Sequence, residues 1–411
     1  MCTANDPATH TKDDAVLPVF PGERGARRPF DPPVEHADWR QGAGLKRALL
    51  NGSPVWVVSR FADIRAALSD PRLSADDSRP GFPSSPMEQV DEGVPPLLSR
   101  MDDPEHARLR RMLAGDFTAK RVEAMRPQIQ ELVDGFLDQM IRQGQPADLV
   151  RAYALPVPSM VICRLLGVDF ADHEFFQHHS ETILKASASA EQKAAAVRKL
   201  FGYLLDLVRR REREPADDVI SRLVQRVAAD EISRETVAIT ALTLLVGGHE
   251  TTANMISLGT LTLLQNPDQL ARIRDTDDPA LVANAVEELL RYLTIAVDVV
   301  VRVAVEDVTI GGQLIRAGEG VVMNLPAGNR DSAVFDRPDT FDIDRDTRGH
   351  LALGYGVHHC LGQSLARAEL QIALPALLRR LPGLRLAVPA EKVAFRNDKS
   401  TYGVRELPVA W

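Results

Sequence analysis

The sequence predicts a mainly α-helical protein with small β-sheets, folded as a single large domain. Apolar residues recur at helical spacing over most of the 411 residues, whereas the β-branched runs typical of strands are short. No Gly/Ser-rich linker or sharp change in composition divides the chain. A hydrophobic content of 45% with 26% charged residues is ordinary for a soluble globular protein.

The N-terminal part of the chain carries few regular patterns. Residues 1–30 are polar and contain Pro and Gly, and we predict a flexible tail there, ahead of one domain over residues 31–411. A β-branched strand is predicted at 54–58 and a helix at 60–69. Residues 78–96 are rich in proline, which excludes a long helix and predicts a loop of the kind that often carries function.

Helical patterns dominate the middle of the chain. We predict helices or apolar helical segments at 104–117, 126–142, 158–166, 172–187, 191–213, 217–227, 234–264 and 279–292. The longest of them contains the pair Gly247-Gly248, which weakens or kinks a helix. Short strands follow at 299–305, 308–310 and 313–315, the last two joined by a hairpin turn at Gly311-Gly312.

Charge and cysteine content exclude several classes of protein. A net charge of −8 argues against general nucleic-acid binding. The cysteines Cys2, Cys163 and Cys360 are too few for a disulfide framework and form no CxxC pair. The first residues lack the apolar segment of a signal peptide, and the apolar stretch 236–248 is too short to span a bilayer. We therefore expect a cytoplasmic monomer that binds neither nucleic acid nor membrane.

The most informative segment is the decapeptide Leu-Gly-Tyr-Gly-Val-His-His-Cys-Leu-Gly at 353–362. Its glycines let the backbone pass close to a flat ligand and adopt positive φ. Cys360 precedes an apolar-periodic helix, where free N–H groups and the helix dipole favour a thiolate. A thiolate held in this way is suited to bind a metal ion. The alternative is a buried, inert cysteine ahead of a helix.

This segment resembles the haem-ligand loop of the cytochrome P-450 family, Phe-Gly-x-Gly-x-His-x-Cys-x-Gly. Leu353 stands where that family usually has phenylalanine, close to the sulfur. The resemblance implies the P-450 fold, haem b (iron protoporphyrin IX) as cofactor and Cys360 as the proximal iron ligand. The chain is most similar to soluble bacterial, actinomycete-type members.

A second motif lies inside the long helix, where Glu250 and Thr251 follow the glycine pair. Polar groups in an apolar helix cost free energy unless they have partners, and the alternative is that both lie on the helix surface. The motif resembles the oxygen-activation sequence (Ala/Gly)-Gly-x-(Asp/Glu)-Thr of the same family. The resemblance implies that Glu250 relays protons and that Thr251 hydrogen-bonds the oxygen or its water. A zinc-protease motif is excluded, because position 253 is alanine.

A third motif is the pair Glu288 and Arg291, which share one face of a helix and are able to form an ion pair. It resembles the Glu-x-x-Arg motif of the family, and Arg345, after Phe341-Asp, resembles the third member of that group. The resemblance implies a structural role. Likewise, His106, Arg110, Arg302 and His358 match residues that bind the haem carboxylates, although each alone is also compatible with a surface charge.

Together these motifs imply a haem-thiolate monooxygenase that hydroxylates or epoxidises a bulky lipophilic molecule, such as a macrolide or other polyketide, a steroid or a xenobiotic. The resemblance implies O2 as co-substrate and electrons from a ferredoxin with a separate ferredoxin reductase. The expected substrate contacts are Phe82, Met87, Leu244, Gly248, Val299 and Val300. The alternatives are a peroxide-driven haem-thiolate peroxygenase and a non-enzymatic haem-based sensor.

Overall fold

The computed structural model describes residues 17–25, 29–83, 94–185, 188–396 and 400–411. Its helices are α1 Glu35–Gln41, α2 Phe61–Ser69, α3 Glu105–Ala114, α4 Ala119–Gln143, α5 Pro156–Leu166, α6 His173–Leu184, α7 Ala190–Arg213, α8 Val219–Ala228, α9 Arg234–Leu264, α10 Pro267–Asp275, α11 Pro279–Leu293, α12 Leu325–Gly328 and α13 Gln363–Arg380. Its strands are β1 Lys46–Leu50, β2 Ser53–Val58, β3 Leu73–Ser74, β4 Ala147–Asp148, β5 Val301–Ala304, β6 Val308–Ile310, β7 Gln313–Ile315, β8 Gly320–Met323, β9 Arg385–Leu386, β10 Phe395–Arg396, β11 Gly403–Val404 and β12 Pro408–Ala410. The predicted mainly helical architecture with small sheets is confirmed.

Helix α9 is the central element of the described structure. Nearly every residue in its second half is buried, and it packs against α5, α7 and α13. A helix that is apolar on all sides is typical of a core position. The backbone stays helical through Gly247-Gly248. A Cβ at Gly248 would lie 3.1 Å from Cδ1 of Ile162, so the close packing of α5 explains that glycine.

A five-stranded sheet with the order β1-β2-β8-β5-β3 lies beside the helices. Strands β2 and β8 run parallel with Trp56 opposite Val321, and β5 pairs with β8 in the antiparallel direction. All four residues of β5 are buried, including Arg302, which pairs with Val321. The sheet thus carries an arginine into the protein interior.

The described part of the predicted N-terminal tail packs against this sheet. Phe20 is 2% exposed, and its backbone N–H donates to the Leu49 carbonyl at 2.8 Å. Its ring stacks on those of His36 and Trp39. The buried ring of Phe20 therefore anchors this part of the segment to the sheet.

Several element bounds differ from the prediction because of proline. Helix α4 begins at Ala119 and accommodates Pro127 in its interior, whereas the apolar pattern suggested a later start. Pro267, just after the predicted helix at 234–264, stands at the first position of α10, where the missing N–H costs nothing. No described helix is both long enough and apolar enough to cross a membrane.

Candidate active site

The cysteine loop is shaped by two glycines with positive φ. Gly354 and Gly356 have φ of +76° and +73°, and a Cβ at Gly356 would lie only 2.6 Å from the Leu68 carbonyl oxygen. The backbone N–H of Cys360 donates to the carbonyl of Leu353 at 2.9 Å, which closes the loop just before α13. Glycine is required at Gly356 by both its φ and its close contact.

The surroundings of Cys360 act on its thiol in opposite directions. Burial raises its pKa, whereas the backbone N–H of Gly362 and the guanidinium groups of Arg110 and Arg367 lower it. These three groups favour the thiolate form, but burial outweighs them and the pKa of the thiol is raised. The side chain of Leu353 is partly buried against the main hydrophobic core, so the residue that departs from the family motif packs as an ordinary core residue.

Four basic side chains predicted to bind carboxylates come together beside this loop. The rings of His106 and His358 lie 4.1 Å apart between centroids, and Arg110 donates a hydrogen bond to the carbonyl of His359. Burial and the charges of Arg302, His106 and Arg110 together lower the pKa of His358 to about 3. Residues from α3, β5 and the cysteine loop thus form one cluster of basic side chains.

This cluster has donors that the protein does not satisfy. Nε2 of His106 is buried and has no hydrogen-bond partner among the described residues, whereas its Nδ1 lies 3.2 Å from the Asp103 carboxylate. Arg302 is 6% exposed and donates to the Val301 carbonyl, but no ion pair joins it to a described carboxylate. Burial and the charge of Arg100 together lower its pKa to about 10. A buried arginine without a carboxylate partner and an unpartnered ring nitrogen fit a ligand with carboxylates, and the glycine turn fits a flat ring, as haem b requires.

The Glu250 and Thr251 pair lies on α9. The Glu250 side chain is 3% exposed and accepts a hydrogen bond from Nη1 of Arg396 at 2.9 Å, so it is not a surface residue. The hydroxyl of Thr251 donates to the Gly247 carbonyl at 2.7 Å. This carbonyl therefore has a side-chain partner within the helix.

The structure brings Glu288, Arg291 and Arg345 together in the interior. Glu288 and Arg291 are fully buried and joined by bonds of 2.7 and 2.9 Å, and Nε of Arg345 lies 3.3 Å from Oε1 of Glu288. Arg291 also donates to the carbonyls of Asn329 and Pro338, both at 2.8 Å. The guanidinium group thereby holds the segment before the cysteine loop against α11.

The residues predicted to contact substrate differ in how deeply they are buried. Phe82 is buried against the sheet, while Leu244 and Val300 are partly buried and Val299 is 37% exposed. Gly248 faces Ile162, so helix packing rather than a ligand accounts for it. Met87 lies outside the described residues.

Sequence reasoning missed two groups of ionisable residues. One is Arg396, the partner of Glu250. The other is Glu287, which bonds Arg367 on α13 and His350 ahead of the cysteine loop. Only Glu287 had a signal in the sequence, its place beside Glu288.

Comparison with known proteins agrees with this geometry. The model of the cytochrome P-450 family matches residues 46–382. The chain belongs to the cytochrome P-450 family. It is therefore a haem b monooxygenase, as the cysteine loop predicted.

Relatives of this P-450 come from actinomycetes. It is 49% identical over 397 residues to pentalenic acid synthase of Streptomyces avermitilis, with 96% of this chain and 97% of the relative covered. It is 47% identical over 410 residues to vitamin D3 dihydroxylase of Streptomyces griseolus, covering 99% and 100%. The mycinamicin VIII C21 methyl hydroxylase MycCI from Micromonospora griseorubida, solved with mycinamicin VIII bound, matches with a TM-score of 0.90 and 40% identity, covering 96% of this chain and 100% of that one.

Proposed function

We propose that this P-450 hydroxylates or epoxidises a bulky lipophilic small molecule of the macrolide or polyketide, steroid or xenobiotic class. The co-substrate is O2, and a ferredoxin with a separate reductase supplies the electrons. The observation that carries the proposal is the cluster of basic side chains beside Cys360, formed by His106, Arg110, Arg302 and His358, in which Nε2 of His106 has no partner among the described residues. The names of relatives that act on vitamin D3 and mycinamicin VIII support the substrate class.

The cluster of basic side chains and the cysteine would divide the task of holding the cofactor. The sulfur of Cys360 would bind the iron, and the Gly362 N–H with the charges of Arg110 and Arg367 would stabilise its negative charge. Nε2 of His106 and the guanidinium of Arg302 would bind the carboxylates, which would give both groups a partner that the described residues do not supply. When bound, the haem supplies the activation of O2 and the transfer of one oxygen atom to substrate.

Helix α9 carries the two residues that would handle protons. The buried carboxylate of Glu250 would relay protons, and Arg396 holds it in place through the 2.9 Å bond. The hydroxyl of Thr251, whose own hydrogen is directed at the Gly247 carbonyl, leaves its oxygen free to accept a hydrogen bond. Thr251 would therefore accept a hydrogen bond from a water molecule or a protonated group and hold it in place.

Partly buried apolar side chains form the substrate-facing wall. Leu244 on α9 and Val299 and Val300 before β5 expose apolar surface, which favours a lipophilic ligand. Phe82, packed on the sheet, borders this region. We expect substitution of Leu244 or Val299 to alter which substrate binds, without affecting thiolate ligation.

The test uses the carbon-monoxide difference spectrum and the product mass. Cys360→Ala should abolish the thiolate band, whereas Cys163→Ala, which removes the buried cysteine of α5, should keep it. Reconstitution with a ferredoxin, its reductase and NAD(P)H should yield a product heavier by one oxygen atom. Product formed with hydrogen peroxide but never with O2 and the reductase would contradict the proposal and favour a peroxygenase.

A further inference from the structure

The hairpin of β10 and β11 meets α9 at two successive turns of the helix. Nη1 of Arg396 donates to Oε1 of Glu250 at 2.9 Å, and Arg396 stands directly opposite Gly403 in the hairpin. Gly403 lies against Asn254, which follows Glu250 by about one helical turn and therefore shares its face of α9. Two neighbouring residues of the hairpin thus contact two neighbouring residues of the helix.

The contact at Gly403 leaves no space for a side chain. A Cβ there would lie 2.2 Å from Oδ1, 2.6 Å from Cγ and 3.1 Å from Nδ2 of Asn254. The φ of Gly403 is not positive, so the backbone conformation would accept alanine and only this contact requires glycine. The Asn254 side chain is buried, and rotation of its amide about χ2 leaves Cγ where it is. A side chain at position 403 therefore has to push the hairpin away from α9.

The hairpin is built to move as one unit. Its strands pair Phe395 with Val404 and Arg396 with Gly403. The ring of Tyr402 stacks on that of Phe395, with the centroids 5.7 Å apart and the planes inclined by 6°. Backbone pairing and ring stacking thus join the two strands, so a displacement at Gly403 is passed on to Arg396.

The size of that displacement decides the state of the ion pair. An ordinary nonbonded contact is about 3.5 Å, so a Cβ at Gly403 lacks roughly 1 Å of space. The same shift would lengthen the 2.9 Å bond between Arg396 and Glu250 to roughly 4 Å, which is too long for a hydrogen bond.

We propose that Gly403 is a positioning residue for Glu250. Its close contact with Asn254 keeps the hairpin near enough to α9 for Arg396 to hold the carboxylate. The inference rests on the proposed function, because it assumes that Glu250 relays protons. A misplacement of about 1 Å far from the reacting atoms is enough to slow a catalysed step.

The ion pair itself is measured by a double-mutant cycle of Glu250→Gln and Arg396→Gln, in urea unfolding of the haem-loaded protein. With Gly403 in place, we expect the two substitutions to be coupled by at least about tenfold in the unfolding equilibrium constant. In the Gly403→Ala background the coupling should fall to about twofold or less, and adding Asn254→Ala, which removes the amide, should restore it. The control Gly202→Ala, on α7 with nothing within 4 Å of its Cβ, should leave the coupling unchanged.

Proton delivery is measured as the solvent isotope effect on O2 reduction by the substrate-free, haem-loaded protein. NADPH, a plant-type ferredoxin and its reductase supply the electrons. Gly403→Ala should raise the ratio of the rates in H2O and D2O at least about twofold, because a displaced carboxylate makes proton transfer slower. Adding Asn254→Ala should return the ratio to the wild-type value, which a general loss of stability would not do.

Two results would overturn the inference: a coupling that survives Gly403→Ala, or a lost coupling that Asn254→Ala does not restore. If Gly403→Ala does not fold, Asn254→Gln, which lengthens the side chain against Gly403, makes the same test. An isotope effect that stays constant while the coupling falls would contradict the relay assigned to Glu250, and with it the role of Gly403. Loss of the thiolate band in Cys360→Ala is independent of this contact and tests the proposed function alone.

Discussion

The carboxylate of Glu287 joins two helices and the cysteine loop, and its removal should cost stability in a pH-dependent way. Arg367 on α13 donates to both of its oxygens, at 2.5 and 2.9 Å, and Nε2 of His350 lies 3.0 Å from Oε2. The N–H of Ala352 donates to Nδ1 of His350 at 3.1 Å, so Nδ1 carries no proton and Nε2–H is the donor to Glu287. The carboxylate thus fixes the chain just before Leu353.

The magnitude follows from the pKa of Glu287. Burial raises this pKa, but the hydrogen bonds from His350 and Arg367 outweigh burial and lower it from 4.5 to about 2. At about 1.36 kcal/mol per pKa unit, the charged group contributes roughly 3 kcal/mol to the free energy of unfolding. A lowered folded-state pKa means that this contribution is complete above about pH 4.5 and is lost as the pH falls toward 2.

The experiment compares Glu287→Gln with Glu131→Gln, an exposed glutamate on α4. Urea unfolding, followed by far-UV circular dichroism, is measured on the haem-loaded protein at pH 7, 4.5 and 3. We expect Glu287→Gln to lose roughly 3 kcal/mol at pH 7, and its deficit to shrink by about 2 kcal/mol between pH 4.5 and 3. Glu131→Gln should differ little from the wild type at any pH. A deficit for Glu287→Gln that stays constant with pH would refute the reasoning.

Three further substitutions test the site. Gly356→Ala should weaken the thiolate band and lower the free energy of unfolding by about 1–3 kcal/mol, because its positive φ and close backbone contact exclude a side chain. The control Gly135→Ala, in open space on α4, should raise the free energy of unfolding by up to about 1 kcal/mol. An unchanged band and stability in Gly356→Ala would contradict the loop geometry. Arg291→Lys should cost about 3–5 kcal/mol in urea unfolding, because Lys cannot replace the forked, fully buried ion pair; wild-type stability would count against it. Arg396→Gln should release the Glu250 carboxylate and raise the fraction of electrons lost to hydrogen peroxide several-fold. An unchanged product yield per NAD(P)H would show that this ion pair does not position Glu250 for proton relay.

The cysteine loop and the Glu288–Arg291 pair were predictable from the sequence because the residues of each lie close together in the chain. The cysteine loop needs only a few consecutive residues, and its glycines adopt the predicted positive φ at Gly354 and Gly356. The pair Glu288 and Arg291 meets because residues three apart share one helix face. The fold class followed from the same kind of evidence, since helical periodicity is a property of short segments.

Contacts between distant segments were decided by the tertiary structure. Arg396 reaches Glu250 only because the hairpin of β10 and β11 packs against α9, and nothing near either residue in the chain indicates that pairing. The sequence by itself determined the glycine turn that presents Cys360, because a short loop and a helix end suffice to build it. Only the tertiary structure decided which charges are buried without partners, because burial depends on every element that packs around them.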